Sequence, residues 1–597
     1  MEARRAPQAL SLGERLNDHP LRSARWFGAN DLAGFIHRAS LHSEGISRAA
    51  LSGRPIVGIC NSWSELVNCN LHFRGMAEAV KRGVLQAGGL PLEFPTISLG
   101  ENLMKPTTML FRNLMAMDVE ECIRSYPLDA VVLLGGCDKT VPAQLMGAAS
   151  AGVPAIMVTG GPSQAAYFRG RELGAGTDLW HYADELRAGR MSQESFAELE
   201  AAATPSFGHC NELGTASTLT ALVEALGMCL PGTSTIPAVD AGRMRAAEAT
   251  GTRAVALARE GLSPAQIVTA GSLDNAITLL MALGGGTNAV IHLLALAGRL
   301  GVPLSLDRFD ELSRRTPVIG NLRPSGEHLF EHLHRAGGVQ AVLRELAPLL
   351  DGDALTVTGD TLARGYAGAE TLDRAVIASL ADPLAPQGGL AILRGSLAPD
   401  GAVIKQSAAS PELLRHRGPA LVFEDVYDVQ ARIDDPALEV GADSVLVLRN
   451  SGPRGGPGMP EWGQVPIPRK LLAQGVRDMV RVSDARMSGT AFGTVVLHVA
   501  PESAAGGPLA AVRDGDPIVL DTEARRIDLD IPAAEIARRL AEAGPAKRAY
   551  GRGYGALYLD HVLQADQGCD FDFLRALPGE EARSEPLGLL SGWVGGW

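Results

Sequence analysis

Between residues 55 and 159, short apolar runs alternate with amphipathic stretches. The runs at 55–60, 92–98, 130–134 and 154–159 are rich in branched residues and bounded by glycine, proline or polar clusters, which predicts strands. Residues 70–86, 107–125 and 142–151 carry apolar positions at helical spacing. Strands alternating with helices predict a parallel sheet with helical crossovers. Residues 160–380 read as mostly helical, with segments at 216–228, 244–260 and 289–299. The stretch 382–389, DPLAPQGG, reads as a connector. Beyond it, runs at 390–393, 420–423, 444–448, 494–499, 517–520 and 526–529 predict strands separated by turns. The expected class is α/β. Residues 1–385 are expected to form an N-terminal α/β domain with a parallel sheet and many helices. Residues 386–597 are expected to form a β-rich, barrel-like C-terminal domain. Residues 1–50 read as a polar, partly helical lead-in, and the tail from residue 578 as peripheral.

Composition narrows the class. The 597 residues are 46% hydrophobic and 20% charged, ordinary for a globular chain with room for more than one domain. The net charge is −13 and no basic stripe is visible, which argues against a nucleic-acid partner. The first twenty residues lack the apolar core of a signal peptide. The most apolar long segment, 276–300, is interrupted by Gly284, Gly285, Gly286, Asn288 and His292, too often for a membrane span. A cytoplasmic protein without a membrane partner is expected.

Seven cysteines, an odd number spread widely in such a chain, argue against a disulfide framework. Cys60 falls in an apolar run and Cys122 and Cys229 in helical segments, so these read as core residues, and Cys569 receives no role. Cys69, Cys137 and Cys210 instead sit in polar or glycine-rich contexts just before helices, where the helix dipole would favour a thiolate. They read either as small buried residues or as converging metal ligands. Three thiolates fall short of the usual four-ligand iron–sulfur set and would leave one iron open, while zinc on three cysteines is the competing reading.

Hard ligands accompany them. Glu101 follows a predicted strand, Asp138 follows Cys137, and Glu461 ends the glycine- and proline-rich run 452–461. Such carboxylates suit magnesium, or are solvated loop charges. Lys139 fits neither reading easily, because an ammonium beside a metal-binding carboxylate repels the cation, and the Walker spacing of a phosphate loop is absent. Ser488, before a glycine, reads as an exposed hydroxyl or a structural turn residue, with no hydrolase triad to support it.

Taken in order, GICNSWSELVNCNLHFR, GGCDKTVPAQLMGAA, GTASTLTALVEALGM, GGGTNAVIHLLALAGR, NLRPSGEHL, GPRGGPGMPE and SDARMSGTAFGTVVLH resemble the dihydroxy-acid and sugar-acid dehydratase family over almost the whole chain. Within it the chain looks most similar to the pentonate and aldonate dehydratases. The resemblance implies an iron–sulfur and magnesium dependent hydro-lyase that converts an aldonate such as L-arabinonate or D-xylonate to a 2-keto-3-deoxy acid. The alternative is a dihydroxy-acid dehydratase of branched-chain amino-acid biosynthesis. By the same resemblance, Cys69, Cys137 and Cys210 hold a [2Fe-2S] cluster, with [4Fe-4S] as the alternative. Glu101, Asp138, Glu461 and a Lys139 carboxylated on its amine hold Mg2+, and Ser488 is the catalytic base. A homodimer or a homotetramer, as a dimer of dimers, is implied. The chain departs from the family at Asn68, where proline is usual, and at His209, Asn211 and Glu212 around the third cysteine. Glu212 is expected to alter the polarity beside the cluster.

Overall fold

The computed structural model describes residues 20–544 and 548–576. The predicted tail from residue 578 and most of the first twenty residues lie outside that set. In the N-terminal half, β1 (Ile56–Asn61), β2 (Leu90–Pro95), β3 (Ala130–Gly135) and β4 (Ala155–Thr159) form a sheet in the order β2-β1-β3-β4. Every pairing in it is parallel. β1, β3 and β4 are buried along their whole length. Helices such as Phe73–Gln86, Met109–Ser125, Thr140–Ala151 and Ala241–Glu260 cover the sheet, which is why these strands read as continuous apolar runs and not as alternation.

Behind the sheet lie the helices Thr215–Ala225, Ala270–Leu283 and Asn288–Arg299, buried on nearly all sides. The apolar segment 276–300 is therefore two core helices with a glycine turn between them. Among the described residues, no helix is long and apolar enough to cross a membrane.

The mostly helical reading of 160–380 needs one correction. After β4 the chain forms a hairpin, β5 (Ala166–Phe168) and β6 (Arg171–Leu173), that packs with the helices Thr177–Arg187 and Gln193–Ala202 around a small apolar cluster of its own. Three-residue strands carry too few positions for a period-two signal.

The second sheet has eight strands: β7 (Ala391–Leu393), β8 (Gly401–Ile404), β9 (Arg415–Phe423), β10 (Val445–Leu448), β11 (Arg481–Ser483), β12 (Val495–Ala500), β13 (Pro517–Asp521) and β14 (Arg526–Leu529). Their order is β14-β13-β9-β10-β11-β12-β8-β7. The edges meet: Arg394 N donates to Arg525 O at 2.9 Å and Ile527 N to Arg394 O at 3.0 Å, so the sheet curls into a barrel. Its central strands, β9 to β12, are parallel and the flanking pairs antiparallel. The helices Val426–Arg432 and Arg469–Ala473 pack outside β9 and β10 as crossovers. β8 was not among the predicted strands; it spans only four residues.

The C-terminal segment returns to the N-terminal half. Arg299 pairs with Asp570 through Nε–Oδ2 at 2.6 Å and Nη2–Oδ1 at 3.1 Å, and Arg112 Nη2 donates to the carbonyls of Gly568 and Cys569, both at 2.9 Å. Cys569, Cys60 and Cys229 are core residues, whereas Cys122 is only half-buried.

Candidate active site at the strand ends

Ligands in open parallel sheets bind beyond the carboxyl ends of the strands. Cys69 lies on the segment after β1, Glu101 after β2, Cys137, Asp138 and Lys139 directly after β3, and Cys210 after the excursion that follows β4. From the barrel, Glu461 lies beyond β10 and Ser488 beyond β11, again past carboxyl ends of parallel strands. One cavity of about 620 Å³ is lined by Cys69, Cys137, Cys210, Glu101, Asp138, Glu461 and Ser488 together. Lys139 is fully buried beneath it.

Close backbone approach makes this convergence possible. A Cβ on Gly136 would stand 2.7 Å from Phe73 Cζ, 2.8 Å from Asn70 Oδ1 and 2.9 Å from Cys69 O. The Cys69 and Cys137 loops touch only because residue 136 has no side chain. The turn after Gly136 is locked by Thr140, whose Oγ1 accepts from Cys137 N at 2.9 Å and donates to Cys137 O at 3.0 Å. Gly136→Ala is expected to cost about 1–3 kcal/mol of stability, read from denaturant unfolding, because the contacted atoms are packed or backbone.

The carboxylates of Glu101, Asp138 and Glu461 converge, with one oxygen from each within 4.8 Å of the others. The Lys139 ammonium contacts Asp138 and lies 3.6 Å from Glu101 Oε2 and 3.7 Å from Glu461 Oε1. Burial and the nearby Arg486 oppose the Lys139 charge, yet the three carboxylates hold its pKa above the usual lysine value. Burial pushes Glu101 up, but Lys139, Arg486 and the hydroxyls of Thr108 and Thr107 outweigh it and hold it below the usual carboxylate range. Burial dominates at Glu461, assisted by Glu101 and Asp138, and raises it.

Several residues of this network carried no signal of their own in the sequence. Arg486, fully buried, donates from Nε to Met459 O at 2.7 Å, from Nη1 to Glu461 Oε1 at 2.9 Å and from Nη2 to Thr107 Oγ1 at 3.0 Å. Thr107 Oγ1 passes the contact on to Glu101 Oε1 at 2.7 Å. Asn288 Nδ2 donates to Thr215 Oγ1, Glu461 Oε1 and Met487 O at 2.8, 3.1 and 3.2 Å. Both residues lie inside quoted motifs.

The dipole expectation for the cysteines does not hold at Cys137. Hydrogen bonding with the Cys69 thiol, then burial, pushes the Cys137 thiol well above its ordinary value. Cys210 is also pushed up; its sulfur opens into the cavity but is crowded by protein atoms, with Cys69 and Glu212 adding to the effect of burial. Such thiols are poor nucleophiles and become thiolates readily only beside a bound cation, a donor set that fits metal ligation better than covalent catalysis. Among the described residues, no other cysteine lines this cavity.

The departures around Cys210 have local explanations. Glu212 is fully buried and turned from the cavity, its Oε2 accepting from Gly176 N and Thr177 N, both at 2.9 Å. It braces the excursion after β4 and reaches the cavity through its charge, which adds to the upward push on the Cys210 thiol. Asn211 Oδ1 likewise accepts from Ala175 N at 2.8 Å. Asn68 and His209 do line the cavity. Burial lowers His209 to about 3, so its ring is neutral.

Fold and site together define a two-part α/β protein with an acidic, thiol-lined cavity between a parallel sheet and a barrel. Residues 54–365 match the dihydroxy-acid/6-phosphogluconate dehydratase N-terminal family and residues 375–569 its C-terminal counterpart. The chain belongs to this dehydratase family and is a hydro-lyase. It is 54% identical to the L-arabonate dehydratase of Azospirillum brasilense, over 94% of this chain and 98% of the relative. It is 49% identical to the L-arabinonate dehydratase of Rhizobium leguminosarum bv. trifolii, over 94% and 97%. Identity is also 49% to the 6-deoxy-6-sulfo-D-gluconate dehydratase of Pseudomonas putida, over 95% and 98%.

Proposed function

We propose that the protein dehydrates a sugar acid, an aldonate such as L-arabinonate or D-xylonate, to the corresponding 2-keto-3-deoxy acid. The reading takes Cys69, Cys137 and Cys210 as ligands of a [2Fe-2S] cluster and Glu101, Asp138, Glu461 and a carboxylated Lys139 as ligands of Mg2+. The observation that carries it is the charge of the cavity. Its described lining includes Glu65, Glu101, Asp138 and Glu461 but no lysine or arginine. An anionic sugar acid is repelled from such a cavity unless a divalent cation reverses the local sign. The converging hard oxygens fit magnesium. The Lys139 amine is the odd member of that donor set; loss of two protons to solvent and formation of an N–C bond to carbon dioxide would turn this competing ammonium into a carbamate with a further oxygen ligand.

When bound, the magnesium would supply positive charge for the substrate carboxylate and C2 hydroxyl, and the cluster a Lewis acid for the departing C3 hydroxyl. The chain's own groups do the rest. Ser488 Oγ, 3.0 Å from Thr490 Oγ1, is the group on the cavity wall that takes the C2 proton. An unperturbed serine hydroxyl is far too weak a base, so its deprotonation depends on the nearby cationic charge. Thr215 and Ala216 bring the N-terminus of a helix to the cavity, where first-turn N–H groups suit an anionic or hydroxyl oxygen. Asn288 and Arg486 keep Glu461 in place. The polar wall at Asn68, Asn102, Ser163, Thr204 and Thr490 suits the hydroxyls of a sugar chain. Relatives named dihydroxy-acid dehydratase share less, at 44% identity or below.

Two measurements test the reading. Anaerobically prepared protein is expected to contain iron and inorganic sulfide with a visible charge-transfer spectrum, and sulfide near zero would sink the cluster assignment. With magnesium present, L-arabinonate or D-xylonate is expected to be turned over in preference to 2,3-dihydroxyisovalerate. The reverse preference would establish the branched-chain alternative.

A further inference from the structure

Two buried carboxylates behind the site have no part in the reading above, on which this inference rests. Glu502 and Asp484 are both fully buried and, among the described residues, neither is within salt-bridge distance of a cation. Glu502 lies just beyond β12, and Asp484 just beyond β11, four residues before Ser488.

Each carboxylate is spent on backbone N–H groups. Glu502 Oε1 and Oε2 both accept from Arg454 N at 3.0 Å, and Oε2 also accepts from Gly455 N at 2.9 Å. These two residues lie in the run 452–461 that ends in Glu461. Its fit is close: a Cβ on Gly452 would stand 2.6 Å from Glu502 Oε2. Glu502 is itself fixed by Gln564, which donates from Nε2 to Oε1 at 2.8 Å and accepts from Glu502 N at 2.9 Å. Asp484 Oδ1 accepts from Ser451 N at 2.9 Å, immediately before the same run, and Oδ2 accepts from Ser503 N at 2.9 Å and Ser503 Oγ at 2.6 Å. The loops bearing Glu461 and Ser488 are thus both anchored to one pair of acids.

We propose that Glu502 and Asp484 are positioning residues that hold the Glu461 loop and the Ser488 loop in register through backbone N–H bonds. A carboxyl group offers two acceptor oxygens on one short side chain, so Glu502 can be shared by the consecutive N–H groups of Arg454 and Gly455, which a single serine hydroxyl could not serve in the same way.

The anchor has a pH signature. Burial, then the Asp484 charge, raises Glu502 to about 7. Asp484 is also raised, by burial. The other titratable groups facing Glu502 are Tyr558 and Cys569, both pushed up, by burial first, so that they stay neutral through this range. Because the held state keeps the Glu502 proton more tightly than an opened, solvated one, the contribution of this group is full below the free carboxylate value and is lost as pH rises through about 7.

Hydrogen exchange of peptides covering residues 452–459, in metal-free protein and corrected for intrinsic rates, tests this. Wild-type protection is expected to fall between pH 6 and pH 8. Glu502→Gln, which cannot ionise, is expected to lose the pH dependence, and Glu502→Ala, which removes both acceptor oxygens, to exchange there roughly ten-fold faster at pH 6. Protection independent of pH in the wild type, which needs no variant to fold, would overturn the proposal, as would wild-type behaviour of Glu502→Gln. In sugar-acid assays Glu502→Ala is expected to lower kcat with KM for the sugar acid little changed. A wild type inactive on every sugar acid would defeat the functional reading and leave the exchange result standing.

Discussion

Ser488→Ala is expected to lower sugar-acid turnover about 10³-fold, the scale of a lost general base. The reason is positional. Ser488 stands on the wall of the cavity that also holds the three cysteines and three carboxylates, with its Oγ bonded, among the described residues, only to its near neighbour Thr490. Among the described residues the hydroxyl carries no long-range structural bond, so its removal is expected to leave folding intact. Thermal stability, iron content and the visible spectrum are expected to match the wild type while steady-state kcat collapses. Undiminished kcat in Ser488→Ala would remove Ser488 from the mechanism. A parallel loss of iron and stability would reassign it a structural role.

The second large effect is expected at Lys139. Lys139→Ala withdraws the buried cation shared by Glu101, Asp138 and Glu461, leaving the Arg486 guanidinium on Glu461 as the remaining charge compensation. Breaking a buried ion pair in this way costs about 3–5 kcal/mol, so denaturant unfolding of the metal-free variant is expected to shift accordingly. Magnesium-dependent activity is expected to fall roughly 100-fold or more, the upper range for disturbed metal sites. The same residue carries a chemical test. Carbon-13 labelled carbon dioxide is expected to give a carbamate signal in the magnesium-loaded wild type and none in Lys139→Ala. Full magnesium-dependent activity in the variant, or a wild type without the signal, would rule out the carboxylated ligand.

Much of the framework was readable along the chain because it depends on local pattern. The strands at 55–60, 130–134 and 154–159 announced themselves as unbroken branched runs, since helices cover both faces of the sheet. Cys137, Asp138 and Lys139 stood out because glycines closed such a run just where a parallel sheet presents its ligands. The β5–β6 hairpin and β8 escaped because three or four residues hold too little periodicity. Arg486 and Asn288 escaped as functional residues for another reason: their partners, Thr107 and Glu461 for the one and Thr215 and Glu461 for the other, are far away in sequence. That the Glu212 carboxylate is held by Gly176 N and Thr177 N could not be read from its nearness to Cys210 along the chain.

The residues after Gly135 make the division plain. By itself, the sequence determined that a thiol, a carboxylate and an amine follow one strand end, that further thiols and acids recur near other predicted strand ends, and that the ordered motifs belong to one dehydratase family. Covalent adjacency and local periodicity suffice for that. Only the tertiary structure decided that these groups share one cavity, that Lys139 lies beneath it among three carboxylates, and that the cavity wall carries no lysine or arginine among its described residues. Those properties arise from the close approach of a parallel sheet and a barrel whose strands lie hundreds of residues apart. Burial and long-range charge, which no local pattern encodes, set their chemistry.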